Sequence, residues 1–469
     1  MDDEDSSLPR RNGVPSPRRT GPQFHLRPQW WNWAGLKRAV DERIQRQGGA
    51  PLHARAVAGL RYFWFDGVFA SLSDNILLSF VSVFVLAYGA TNGQIGLLNA
   101  IGNLFGVIAL FPGAMHADRS PNRKRLVLWT GGGFSRAGIL LIVLVPLVAP
   151  GAQFAIWAVI LVNAVRSFLN NYANPAWTGI VADLVPPERR GRYFSYRNVA
   201  MGITGMLALW GSGFLVPRLN GIGGLPYLGY QAVFFIALVF GVASTVSFGR
   251  IADPGPASAP AKKSGWGHLL GALKHHPQFV AFLVGALVWN LSIQMAAPFF
   301  NVYIINGLGG TAETVGYTAG VMTIFGLAGS VVFGRQADRR GSLSVVRVTG
   351  LLIPLLPALW ALSTNLWQIY IFTALAGFVW AGYNLANFNL LLELAPEEHR
   401  SRAVALYQVV VFASAVIGPA VGGVLVDLYS YRLVFATTSV GRLAGILVFL
   451  ILLRGRSGRG HRRKDPAPT

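Results

Sequence analysis

A chain of 469 residues with 53% hydrophobic and only 13% charged residues is too apolar for a soluble globular protein and belongs in a membrane. The net charge of +21 raises nucleic-acid binding, but the basic residues follow membrane topology: the expected outer loops hold Arg218 and Arg432, and the basic clusters lie on the other side. No cysteine is present, which excludes disulfides and thiolate sites.

Residues 1–28 mix Pro, Ser and both signs of charge without apolar periodicity and read as a disordered tail. Trp33, Leu36, Val40 and Ile44 then recur at helical spacing with Lys37, Arg38, Arg43 and Arg46 around them. This pattern predicts a helix over 29–47 lying on an anionic leaflet, with a solvated linker as the alternative. The first 58 residues lack the short apolar region and cleavage site of a signal peptide, so the first span is expected to drive insertion.

Twelve apolar stretches follow, each long enough at ~1.5 Å per residue to cross a hydrocarbon core of about 30 Å. They run over 61–88, 93–116, 126–148, 153–176, 193–216, 230–249, 278–306, 313–336, 345–363, 367–393, 402–426 and 432–453, spans 1 to 12. A polar linker over 250–277 divides them into bundles 59–249 and 278–453, and 454–469 form a basic tail. The basic loops place both termini in the cytoplasm of a cell whose plasma membrane holds the chain as a multi-pass protein.

The two groups of six repeat each other. Residues 77–119 lay without a gap on 297–339, matching Phe80 to Phe300, Gly89 to Gly309, Gly96 to Gly316, Gly106 to Gly326 and Ala117-Asp118-Arg119 to Ala337-Asp338-Arg339. In a second register LVPPERRGR (184–192) falls on LAPEEHRSR (394–402) and Asn174 on Asn384. The fold class this predicts is an all-α membrane protein with twelve transmembrane helices in two pseudo-symmetric six-helix bundles, an architecture of duplicated transporters.

The stretch GRQADRRG (334–341), with its weaker first-half copy GAMHADRSPNRKR (113–125), resembles the loop signature of the major facilitator superfamily. In the first copy Gly113 sits one place early and Pro121 replaces the second glycine. The resemblance spans roughly residues 60–453 and implies alternating access, with Asp118, Arg119, Gly334, Asp338 and Arg339 as a gate on the cytoplasmic side. A plain topogenic basic loop is the competing reading. GPAVGG (418–423) in span 11 resembles another family element, whose counterpart in proton-driven drug antiporters lies in span 5; here span 5 has LALWGSGF (207–214), which weakens that resemblance.

Asp74 in span 1 and Arg166 in span 4 each lie about 13 residues from a membrane boundary, or ~20 Å along the helix. A charge at that depth costs ~2.5–3.5 kcal/mol on insertion scales and therefore faces a partner or a watery cavity. Arg166 resembles the span-4 arginine of proton-coupled family members, although Asn170 stands where a glycine is expected. Since spans 1 and 4 line the cavity in that family, the resemblance makes Asp74 and Arg166 a coupling pair, a static buried ion pair being the alternative. Arg136 in span 3 and Arg442 in span 12, positions the family keeps peripheral, have no partner assigned beyond a guess of Asp66 for Arg136.

Asn75, Asn170, Asn174, Trp289, Asn290, Gln294, Trp380, Asn384 and Asn387 are the candidate cargo contacts, because amides and aromatic faces suit a polar or amphipathic solute. Any single one could equally be an interhelical hydrogen bond. Asp74 maps to Gln294 in the second half and Arg166 to Ala376, so ion chemistry is concentrated in the first. The histidines fall in polar segments or at inner helix ends, and no GxxxxGK[ST] loop exists. No enzymatic activity, cofactor or metal is therefore expected.

The expected function is secondary transport of a small solute, with proton-coupled export of amphipathic compounds ahead of uptake of a neutral polar solute such as a sugar. A non-transporting receptor or assembly factor on the same scaffold is the alternative from another class. The expected partners are a small-molecule substrate, the lipid bilayer and protons, with no nucleic acid, and the chain is expected to act as a monomer.

Overall fold

The computed structural model describes residues 33–45, 53–186, 189–252, 277–394 and 400–460; the side chains of 33, 191, 277–279, 338, 342, 385–405 and 452–460 are outside the described set. The terminal tails, the linker and most of LAPEEHRSR therefore lie beyond it. The described backbone contains twelve helices long and apolar enough to cross a membrane. Spans 1 to 6 are Ala54–Ala87, Asn92–Arg119, Arg123–Val148, Ala152–Leu184, Arg192–Leu219 and Leu228–Gly249. Spans 7 to 12 are Val280–Gly307, Ala312–Ala337, Leu343–Leu362, Leu366–Asn384, Leu406–Leu428 and Tyr431–Ile451. The expected count and order hold; span 1 begins earlier than its apolar run because the polar turn at Ala54 continues the same helix.

Helix ends follow local chemistry. Thr91 and Gln94 form a reciprocal capping box at the start of span 2, and the Asn122 side chain caps the start of span 3. Gly89 and Gly309, matched across the repeat, both close the turn between the first two spans of their half with positive φ, 82° and 68°. The repeat also places Gly96 and Gly316 alike. A methyl on Gly96 would collide with the carbonyl oxygen of Pro419 in span 11, and one on Gly316 would stand 2.7 Å from that of Leu209 in span 5. Each half thus offers span 2 or span 8 to the other half through a glycine, as close helix crossings in membranes require.

Two features depart from regular helix. Span 3 carries a π-helical stretch over Val127–Phe134, and span 7 another over Tyr303–Gly307 after a break at Ala297-Pro298. Residues Trp33–Gln45 form a helix, and the described part of its apolar face packs on the first bundle. Val40 and Ile44 are buried against Leu60, Phe63, Ile180 and Tyr193. Asp41 pairs with Arg61 of span 1, and Arg189 donates to the Ile44 carbonyl at 3.1 Å. Protein covers this part of the stripe, because Leu60 and Tyr193 present a complementary apolar surface at the same end of the bundle.

Bonds between the halves run from mid-depth to the end opposite this helix. Asn103 of span 2 donates to the Ala415 carbonyl of span 11 at 2.9 Å, Arg218 approaches Glu313 at 3.6 Å, and Asp427 binds the start of span 2. At the basic end, Asp118, Arg119 and Arg339 are exposed, and a methyl on Gly334 would meet nothing within 4 Å.

Candidate functional site

Span 1 crosses the first bundle with two carboxylates on one face, Asp66 and Asp74, eight residues or about 12 Å apart along the helix. Two arginines from other spans meet them. Arg136 of span 3 donates through Nη1 to Asp74 Oδ1 at 3.0 Å and to Ser73 Oγ at 3.2 Å. Arg197 of span 5 approaches Asp66 Oδ2 at 3.5 Å, donates through Nε to the Phe63 carbonyl at 3.2 Å, and lies over the Phe63 ring. Ser244 of span 6 donates to Asp66 Oδ1 at 2.7 Å. Glycines give these side chains room: a methyl on Gly67 would collide with the Arg197 guanidinium, and one on Gly241 with the Arg136 stem.

This corrects the pairing expected for Asp74. Its partner is Arg136; Arg166 instead donates to Asn163 Oδ1 on its own helix at 3.1 Å, with its stem packed on Gly138 of span 3. Arg136 is not peripheral either. The π stretch Val127–Phe134 ends just before it and carries Gly131 to Gly133, so the register of span 3 shifts away from a 3.6-residue repeat. Gly132 brings span 3 against Thr245 of span 6, and Arg136 reaches the bundle interior. The guess of Asp66 for Arg136 gives way: Asp66 pairs with Arg197, which sequence reasoning missed.

The cluster borders a cavity of about 260 Å³ lined by Asp66, Asp74, Arg136, Arg197, Asn170, Asn174 and Trp177 among others. The Asp74 side chain is 52% exposed and that of Arg136 10%. One partner is therefore reachable from the cavity while the other is held inside protein. Asn170 and Asn174, two of the candidate cargo contacts, line this space.

Other candidates fall elsewhere. Asn75 donates to the Ser71 carbonyl and Oγ and packs on Gly205 of span 5, a helix-packing role. Trp289 is buried in the second bundle against Tyr383 and Phe449, so its role as a cargo contact is corrected to core. Gly445 makes that packing possible. Asn290 donates to the Ala286 carbonyl one turn back, and Gln294 packs against Gly418 of the GPAVGG stretch. Asn384 is exposed, and the Asn387 side chain lies outside the described residues. Trp380 lines a second cavity, of about 350 Å³, in the other bundle.

The loop signatures act partly within their own halves. Arg123 of the first copy pairs with Asp183 of span 4 at 2.7 Å, and Lys124 donates to the Ile251 carbonyl at 2.6 Å. Among the described residues no group of three or more His, Asp or Glu is arranged to hold a metal.

The chain resembles known proteins in sequence and in fold. The chain is 28% identical over 177 residues to the multidrug resistance protein MdtG of Enterobacter lignolyticus (strain SCF1), a match covering 36% of the chain and 42% of MdtG. It is 29% identical over 188 residues to the probable multidrug resistance protein EmrY of Escherichia coli (strain K12), covering 37% of the chain and 36% of EmrY. The chain thus spans less than half the length of the curated relatives it matches. Among solved structures, a bacterial homologue of the iron transporter ferroportin in its inward-facing state superposes with a TM-score of 0.67 at 15% identity, covering 84% of this chain and 98% of that one. A mutant form of the nucleoside transporter NupG superposes at 0.65, with 15% identity and coverage of 83% and 99%. The Major Facilitator Superfamily model matches residues 63–353 and 290–469; with twelve spans, two bundles and a charged interior, the chain belongs to the Major Facilitator Superfamily.

Proposed function

We propose that the chain is a secondary transporter that exports small amphipathic compounds and couples their movement to protons through Asp74. The observation that carries this is the unequal burial of one ion pair. Asp74 is half exposed to the cavity and 3.0 Å from an arginine that is almost fully enclosed. A proton arriving from solvent at Asp74 removes the counter-charge and leaves Arg136 only a neutral acceptor, so the buried guanidinium then favours an anionic partner elsewhere. Cargo or a shift of span 1 against span 3 supplies one, which links protonation to conformation.

With the basic end taken as cytoplasmic by the positive-inside rule, the state described is inward-facing. The halves are locked at the outer end through Asp427 and the glycines of spans 2, 5, 8 and 11, and Asp118, Arg119 and Arg339 stand exposed at the inner end. Those residues, with Gly334 and Asp338, form the gate that meets in the opposite state. Two cavities of a few hundred Å³ favour transport over a receptor or assembly role, which needs no hydrated interior. The multidrug resistance names of MdtG and EmrY support export over sugar uptake.

Proteoliposomes with the chain inserted inside-out test this. Acidifying the lumen should drive uphill uptake of a lipophilic dye substrate, and a collapsed pH gradient should abolish it. Downhill movement of neutral sugars alone, indifferent to pH, would replace this reading with solute uptake.

A further inference from the structure

The second bundle holds a charge for which the mechanism above has no use. Arg442 lies midway along span 12, is only 3% exposed, and makes no ion pair or hydrogen bond with any described residue; its Nε is enclosed without an acceptor. It lines the cavity of about 350 Å³ between spans 1, 7, 8, 9, 10 and 12. Most of the wall is apolar or aromatic, including Phe300, Met322, Trp360 and Trp380, with Ser79, Asn301 and Thr318 as uncharged polar members. Thr373 also lines it, and its hydroxyl is enclosed without a hydrogen-bond partner. No acidic side chain is among the lining residues.

A guanidinium so placed is expensive in a membrane unless something anionic meets it. The first bundle solves the same difficulty with Asp66 and Asp74; the second has no carboxylate at the place matching Asp74, since Gln294 stands there in the repeat and packs on Gly418. No described residue supplies the missing partner, which points to one from outside the chain. Its chemistry is set by the wall: one anionic group able to accept two hydrogen bonds from a planar fork, as a carboxylate does, and an aromatic or aliphatic body for the tryptophans, phenylalanine and methionine. The volume falls within the roughly 300–1,000 Å³ range of small-molecule pockets.

We propose that the cavity around Arg442 binds a small amphipathic organic acid, with the carboxylate on Arg442 and the apolar body between Trp360 and Trp380. This rests on the transport reading for its meaning as a cargo site, but binding itself is independent of any gradient.

The test is equilibrium binding to the full chain in phosphatidylcholine nanodiscs, with empty nanodiscs subtracted. The probes are 2-naphthaleneacetate, its neutral amide and the cation 2-naphthylethylamine, followed by quenching of tryptophan fluorescence and by calorimetry. The acid should bind at least tenfold more tightly than the amide, and the amine least. Arg442→Gln should remove the preference for acid over amide, Arg442→Lys should keep part of it, and Trp380→Ala should weaken acid and amide alike. Equal binding of acid and amide, a preference retained in Arg442→Gln, or no binding of any probe would overturn the proposal. So would a phospholipid that co-purifies in an Arg442-dependent amount and is not displaced by the acid, since the site would then be a lipid site. Should Arg442→Gln not fold, the acid-to-amide ratio of the unmodified chain decides. Acid binding without proton-driven flux would sink the coupling reading alone; proton-driven flux of cations with no acid binding would sink this one alone.

Discussion

Asp427 of span 11 caps the N-terminus of span 2 across the boundary between the halves. Its Oδ2 accepts from the Gly93 N–H at 2.7 Å, and its Oδ1 accepts from the Asn92 N–H at 3.2 Å and Asn92 Nδ2 at 2.9 Å. The Tyr431 hydroxyl donates to Asn92 Oδ1 at 2.6 Å and extends the contact. A carboxylate at the positive end of a helix makes charge-assisted hydrogen bonds, so one side chain fastens the end of the bundle that a transporter must open.

Replacing Asp427 with Ala removes those bonds. Hydrogen bonds to charged groups contribute ~1.5–3 kcal/mol, which corresponds to a shift of roughly 10- to 100-fold in the balance between closed and open outer ends. The absence of native cysteines leaves spin labels at Gly151→Cys and Leu362→Cys as the only thiol sites. Their distance distribution should gain a longer population in Asp427→Ala; an unchanged distribution would show that the cap does not hold this end.

Gly96 tests the same closure sterically. Because a methyl there would collide with the Pro419 carbonyl oxygen, backbone must move, and Gly96→Val should disfavour the closed outer end by about 1–3 kcal/mol, the usual cost of overpacking. The same pair of labels should report it. Gly202→Val, where a methyl meets nothing within 4 Å, should leave the distribution unaltered.

Asp66 and Asp74 should separate on substitution although both pair with arginine. Asp66 and Arg197 are both buried, and removing one partner of a buried pair costs ~3–5 kcal/mol. Asp66→Ala should therefore lower the thermal midpoint in detergent markedly, whereas Asp74→Asn, half exposed and still able to accept from Arg136, should change it little. Equal melting of the two variants would contradict the difference in burial between the Asp66 and Asp74 pairs.

The docked helix gives a fourth expectation. Ile44→Asp places a charge in the cluster with Leu60, Phe63 and Tyr193 and should release residues 33–45, raising their amide exchange while the twelve spans stay protected. Retained protection over 33–45 would mean that the Asp41–Arg61 pair and the Arg189 bond suffice to hold the helix.

The twelve spans were legible because hydrocarbon thickness fixes helix length, and the duplication because Gly89 and Gly309 must both adopt positive φ. The site was only half legible. Depth along span 1 marked Asp74, but its partner depends on which way Arg136 points, and that follows from a π stretch that no regular period announces. The triple glycine at 131–133 was the available signal. Trp289 reads as a cargo contact because an aromatic face suits an amphipathic solute, yet the small Gly445 opposite draws it into the core. Asp427 was overlooked because its partners are backbone N–H groups, which sequence does not distinguish.

Proton coupling through Asp74 is tested most directly by flux in proteoliposomes carrying Asp74→Asn beside the unmodified chain. With a pH gradient imposed, the unmodified chain should accumulate substrate uphill. Asp74→Asn should bind substrate and exchange it downhill across equal pH, but show no gradient-driven accumulation. Uphill transport by Asp74→Asn at the rate of the unmodified chain would contradict the assignment.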